Sequence, residues 1–325
     1  MTSNVESLYA EHRSFLWGLC YRMTGNAADA DDVVQDTFVR AMQRPPRRTD
    51  DSLRPWLVTV ALNLSRDLLR RRRRRDYVGP WLPSPIDTSG EEPGRRGPGE
   101  GGPPSHEPSI DGRTTTEGRY DLLESVSFAF LLALETLTPT QRAVLLLRDV
   151  FDYSVKETAE ALDVSEANVK TTHHRARNAM AAYNRTRQRP TRARQAAAGQ
   201  ALRQFLERLA AHDVAGIEAL LASDVRTLTD GGGEFRSALR PIVGRDKVSR
   251  FFLSIVDIAR EVAIHPCVVN GSPGVVVESR EARKDRVAPR TVVTVDVDAS
   301  GQITHIYAVS ATQKLSAISN HAGRS

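Results

Sequence analysis

The chain has 325 residues and a mass of 35.9 kDa, with 40% hydrophobic and 26% charged residues, enough for two or three packed domains and too apolar to be disordered throughout. No run reaches the roughly 18 apolar residues of a spanning helix, and Met1–Trp17 lacks the basic start, apolar stretch and small-residue site of an export signal. The 45 basic and 40 acidic side chains leave a net charge of +5, and Cys20 and Cys267 make neither a zinc cluster nor a disulfide framework, so the expected location is a reducing cytoplasm.

Residues 1–78 read as helices. Leu16, Leu19 and Cys20, then Val34, Phe38 and Ala41, recur at helical spacing. Thr24-Gly25-Asn26 is a turn, and Pro45-Pro46 closes the second helix. In that helix Asp29, Asp32 and Asp36 share a polar face with Gln35, and Asp36 lies too far in for the helix dipole to explain it. A third helix is expected over Leu53–Arg75, with Trp56, Val60, Leu64 and Leu68 as its apolar stripe, Trp56 in the core and six consecutive arginines, Arg70–Arg75, at its end. Arginines that continue an amphipathic helix lie on a fixed surface, where they can hold phosphates.

Residues 79–118 hold eight prolines and nine glycines, so 84–117 is expected to be disordered. Tyr77–Pro85 (YVGPWLPSP) is too apolar for a free linker and should dock on something through Trp81 and Leu82. Charge divides along these lines. Residues 1–78 carry 14 basic against 10 acidic side chains, 79–118 carry 3 against 7, and 119–195 carry 12 against 9. Two basic modules about an acidic spacer suggest a nucleic-acid footprint in two parts.

Residues 120–187 are helical again, with breaks at Thr138-Pro139 and Asp163-Val164. Within Ser154–Met180, Val155, Ala159 and Leu162 make a short apolar face, Ser165 caps a second helix, and Val169, Ala176 and Met180 point inward. That is helix-turn-helix spacing. The second helix then presents Asn168, Lys170, Thr171, His174, Arg175 and Arg177, the amide, hydroxyl and cationic groups that read base edges and hold phosphates. Beyond Gln195, a helical pair (Ala201–Ala211, Val214–Ala222) precedes alternating β-branched runs at Val275–Val277, Thr291–Val297 and Ile303–Val309, so this module is α+β.

Leu137–Met180 resembles region 4 of the extracytoplasmic-function sigma factors, and Tyr21–Met42 with Leu53–Arg75 resembles region 2 of the same family, in the family's order. The resemblance implies a multidomain fold: two all-α modules, at 1–78 and 119–187, joined by a linker at 79–118. It further implies docking of Asp29, Asp32, Gln35 and Asp36 on the β′ clamp helices of core RNA polymerase, with its β subunit also a partner. Engagement of the promoter −10 element falls to Asn63, Arg66, Arg70 and Arg71, and of the −35 element to the Asn168–Arg177 set. Residues 198–316 resemble the cone-shaped SnoaL-like fold, and one subgroup of these sigma factors carries such an extension together with a tryptophan-leucine-proline element like Trp81-Leu82-Pro83. The Asp230-Gly231-Gly232-Gly233 turn is expected to touch that element and regulate transcription in cis, so that no separate anti-sigma protein is required. The chain's end, Ser310–Ile318, matches that subgroup's tail only in part, and fine regulation by the tail is not expected.

No catalytic residue, metal ligand, cofactor or membrane association is expected. Asp230, His265, Asp296 and His305 are the acid/base candidates of the cone, and no spacing singles them out. A second reading stays open: a helix-turn-helix regulator fused to an enzymatic or ligand-binding cone. The acidic face on the second helix argues against it, since an ordinary regulator has no use for one.

Overall fold

The computed structural model describes residues 2–43, 53–72, 77–88, 120–187, 189–258, 261–279 and 286–318. The chain divides into two compact units, a helical one (1–76 and 97–188) and a mixed one (77–96 and 189–325).

The helical unit contains α1 (Thr2–Thr24), α2 (Ala27–Gln43), α3 (Arg54–Arg72), α4 (Phe128–Leu134), α5 (Pro139–Asp149), α6 (Val155–Leu162), α7 (Glu166–Ala179) and α8 (Ala181–Thr186). The expected turn separates α1 from α2: Gly25 takes a positive φ and the Asn26 side chain accepts from the Asp29 N–H. The Pro45-Pro46 stop lies outside the described residues. On α3 the buried stripe is Leu57, Val58, Ala61, Leu62, Leu64, Ser65 and Leu69, whereas Trp56, Val60 and Leu68 are only partly buried. The sequence stripe was therefore set one position off and Trp56 is not core, because α3 packs against α1, α2, α5 and α6 together and buries a broad face.

Arginines tie this unit together from inside. Arg22, 1% exposed, donates to Ser125 Oγ at 2.6 Å, Gly18 O at 2.9 Å and Leu122 O at 3.0 Å. Arg142 donates to Met23 O, Leu134 O and Glu135 Oε1, and Arg72 reaches Thr24 O and the same Glu135 oxygen. Buried carbonyls at helix ends thus find donors they would otherwise lack.

The mixed unit begins with α9 (Arg192–Ala210) and α10 (Val214–Leu220), followed by β1 (Leu221–Asp230), β2 (Ile242–Val243), α11 (Arg245–Val256), β3 (Val262–Val269), β4 (Ser272–Ser279), β5 (Arg290–Val297) and β6 (Ile303–Val309). The strands form one sheet in the order β2-β1-β6-β5-β4-β3, antiparallel except for the parallel β1–β6 pair. Val293, Val295, Val297, Ile306 and Ala308 face Phe205, Leu209 and Phe252 in the core. Their strand neighbours point to the opposite face, as the two-residue period requires. The expected helix over Val214–Ala222 stops at Leu220, where β1 begins.

Candidate nucleic-acid and polymerase interfaces

On α2 the expected acidic face exists: Asp32, Gln35 and Asp36 are exposed and Asp29 is half-buried. Val39 and Met42, 40% and 55% exposed, extend the same stripe by helical spacing and were not foreseen. Asp31 turns the other way, toward Arg13 at 3.7 Å, and burial raises its carboxyl pKa.

On α3, Asn63 is exposed and its side-chain oxygen accepts from Arg66 at 3.4 Å, while Arg66 also reaches Thr140 Oγ1 at 3.2 Å. Arg70 pairs with Asp67 at 2.8 Å, and Arg71 is exposed one residue on. Arg73–Arg75 lie outside the described residues.

Capping boxes at Thr138/Gln141 and Ser154/Glu157 start α5 and α6. Asp163 then turns the chain in the left-handed conformation, and Ser165 caps α7. Val169, Ala176 and Met180 are buried, as expected, and Asn168, Lys170, Thr171, His174 and Arg175 are exposed. Arg177 is exposed as well, its side chain 43% accessible, but it is also paired. Its Nε and Nη2 bind the buried carboxylate of Asp149 at 3.0 and 2.9 Å, and His173 Nε2 joins the same carboxylate at 2.9 Å. The sequence reading missed Asp149 and His173, because nothing local links α5 to α7.

In the mixed unit, Trp81-Leu82-Pro83 and the Asp230–Gly233 turn do meet. The Leu82 N–H donates to Asp230 Oδ2 at 2.8 Å, Tyr77 Oη to Oδ1 at 2.6 Å, and the Gly232 N–H to Oδ1 at 3.0 Å. Lys314, 3% exposed, donates to Asp230 Oδ2 at 2.6 Å and Leu82 O at 2.5 Å, with the rings of Tyr77 and Trp81 at 4.7 and 4.5 Å from its Nζ. An ammonium between two aromatic faces and a carboxylate has its charge answered on three sides. The tail therefore takes part in this contact through Lys314. Gly231 is required because a Cβ there would lie 2.6 Å from Phe235 O.

The segment continues as an ordered strip through Thr88. Ile86 exchanges hydrogen bonds with Asn270, the Thr88 N–H donates to Val268 O at 2.9 Å, and Asp87 bridges Val269 on the edge of β3. Residues 84–88 are thus not disordered, as composition suggested, because Asn270 and an open sheet edge supply partners that composition does not reveal. The rest of the expected disordered stretch, 89–117, lies outside the described residues.

The acid/base candidates of the cone separate. Asp230 belongs to the contact just described, and His265 lies 3.7 Å from Glu278, which also pairs with Arg290. Asp296 and His305 are direct cross-strand partners, and Tyr307 Oη donates to Asp296 at 2.8 Å. Burial pushes the Asp296 carboxyl pKa up and that of the His305 imidazole down. Both alternate with the valines and isoleucine that face Phe205 and Phe252, so they lie on the other sheet face, which is itself buried at Val292, Thr294, Tyr307 and Val309. Burial also pushes the Cys20 and Cys267 thiols up to about 12. Among the described residues there is no cluster of three or more metal-ligating side chains, and no helix is long and apolar enough to cross a membrane.

Residues 8–75 match the Sigma-70 region 2 family, 127–180 the Sigma-70 region 4 family and 202–306 the SnoaL-like domain family. The chain is 33% identical over 247 residues to the ECF RNA polymerase sigma factor SigJ of Mycobacterium tuberculosis, covering 75% of this chain and 70% of that one. To SigG of the same organism it is 40% identical over 171 residues, 51% of this chain and 45% of that one. The crystal structure of M. tuberculosis SigJ superposes with a TM-score of 0.67 at 26% identity, covering 95% and 97% of the two chains. The chain therefore belongs to the extracytoplasmic-function sigma factors, with a C-terminal SnoaL-like domain, and is a transcription initiation factor that binds core RNA polymerase and directs it to promoters.

Proposed function

We propose that the SnoaL-like domain regulates initiation in cis, without catalysis and without a separate anti-sigma protein, by gripping the chain between regions 2 and 4. The observation that carries this reading is the buried Asp230–Lys314 pair closed on both backbone groups of Leu82. A domain fused in cis acts at high effective concentration and needs no second gene product. In the same reading Asp29, Asp32, Gln35 and Asp36 dock on the β′ clamp helices, Asn63, Arg66, Arg70 and Arg71 engage the −10 element, and Asn168, Lys170, Thr171, His174 and Arg175 engage the −35 element, all in the cytoplasm.

The test is promoter-dependent transcription by core RNA polymerase with the full chain or its Trp81→Ala variant. The grip predicts a changed transcript yield with binding to core unchanged. A wild-type yield, or loss of transcription and core binding together, would sink it.

A further inference from the structure

We infer that Asp149 is a positioning residue for promoter recognition: its buried carboxylate, with His173 and the part-exposed Arg177, forms a strut that fixes how α7 is turned on α5, and Arg177 serves this strut, not DNA. The inference rests on α7 being the helix that engages the −35 element.

Asp149 ends α5 and its side chain is 3% exposed. A carboxylate so placed has lost most of its hydration, which costs several kcal/mol unless hydrogen bonds replace the water. All the replacements found for it come from α7: the two-pronged guanidinium of Arg177 and the imidazole of His173. Burial alone would raise the Asp149 pKa, yet it is held below the ordinary carboxylate value by His173 and Arg177.

Position on the helix explains what the strut does. At 100° per residue, His173 and Arg177 fall between the buried stripe of Val169, Ala176 and Met180 and the exposed pair Lys170 and His174. Apolar contacts through residues as small as valine and alanine are non-directional and resist rotation of a helix weakly. Three directional bonds converging on one fixed carboxylate do resist it, and the planar fork of Arg177 sets orientation as a point charge cannot. A helix turned by one side chain would carry Lys170, Thr171, His174 and Arg175 off their targets.

The test uses the full chain bound to core RNA polymerase and a duplex selected by the wild-type complex from a pool randomised over the −35 region. Asp149→Asn removes a negative charge, which by electrostatics alone should tighten DNA binding; the strut predicts weakening of roughly tenfold. Arg177→Gln should weaken binding comparably but add less than about twofold in the Asp149→Asn background, since both break one unit. Arg177→Lys, which keeps the charge and loses the fork, should behave like Arg177→Gln, and this comparison stands even if Asp149→Asn does not fold. Arg175→Gln, a free phosphate-holding cation, should instead reduce the slope of log affinity against log salt by about 0.9. Unweakened binding in Asp149→Asn, or full recovery in Arg177→Lys, overturns the strut and returns Arg177 to the DNA surface. Unchanged binding in both Arg175→Gln and Lys170→Gln overturns the assignment of α7 itself, and the strut with it.

Discussion

The helical and mixed units both bury carboxylates, but they neutralise them with different partners. In the helical unit Glu135 is shared by Arg72 and Arg142, and Asp149 by Arg177 and His173, so each acid joins one helix to another. In the mixed unit Asp230 takes a lysine, a tyrosine and the backbone of Leu82, so the acid joins a connecting segment to the sheet. Arginine forks bind carbonyls and carboxylates at once and fix orientation. A lysine between two rings offers a point charge on a flexible stem, suited to a contact that holds chain without shaping it. The helical unit is braced from inside so that its exposed faces keep their geometry, whereas in the mixed unit the braced residues are themselves the proposed regulatory contact.

The sharpest way to break this contrast is Arg142→Ala, which leaves the buried Met23 O and Leu134 O without this donor and part-buried Glu135 to Arg72 alone. It should cost about 3–5 kcal/mol, read as a lowered urea midpoint for helix loss. Lys314→Met should cost less, about 2–3 kcal/mol, because Asp230 keeps Tyr77 and two backbone N–H donors. Hydrogen exchange should show the Leu82 and Thr88 amides opening while β5 stays protected. If β5 opens equally, the lysine braces the sheet and not the segment.

Acid should act with one sign through Glu135 and Asp149 and with the opposite sign through Asp296. Glu135 and Asp149 titrate below their ordinary values, burial opposing and Arg142, Arg72, His173 and Arg177 prevailing. Their contribution is complete above the unfolded value near 4 and is lost as pH falls through the lower folded pKa. Asp296 titrates above its ordinary value through burial, so the folded form binds more protons there and stability declines as pH rises through that window. Asp296→Asn should therefore leave neutral-pH stability unchanged or raise it, while Glu135→Gln flattens the acid limb; urea midpoints from pH 3 to 7 check both. The smallest effect is expected of Gly233→Ala, about 1 kcal/mol, for a side chain at φ +76° that would meet Val78 at only ordinary contact distance.

The helices and the Ser165 cap could be read from sequence because 3.6-residue periodicity and a serine at a helix start are local signals. β1 could not, since its buried residues include Thr227 and Thr229 and so do not alternate by hydropathy. β3 carries Pro266 in mid-strand, which a sheet edge tolerates but a sequence reading takes as a break. The exposed faces of α2 and α7 were legible for the same reason as the helices. The pairing of Arg177 was not legible because the type of a side chain says nothing of an acid 28 residues earlier. Lys314 was not singled out because nothing local in the tail points to an acid 84 residues earlier.

The most direct test of the central claim is run-off transcription by core RNA polymerase supplied with the full chain, its Lys314→Met variant, or a chain ending at Gln195. A promoter-dependent transcript from the full chain, with a changed yield from both altered forms, is the predicted result. Equal yields from all three would contradict regulation through the Asp230–Lys314 grip, and no transcript from any would contradict the initiation role itself.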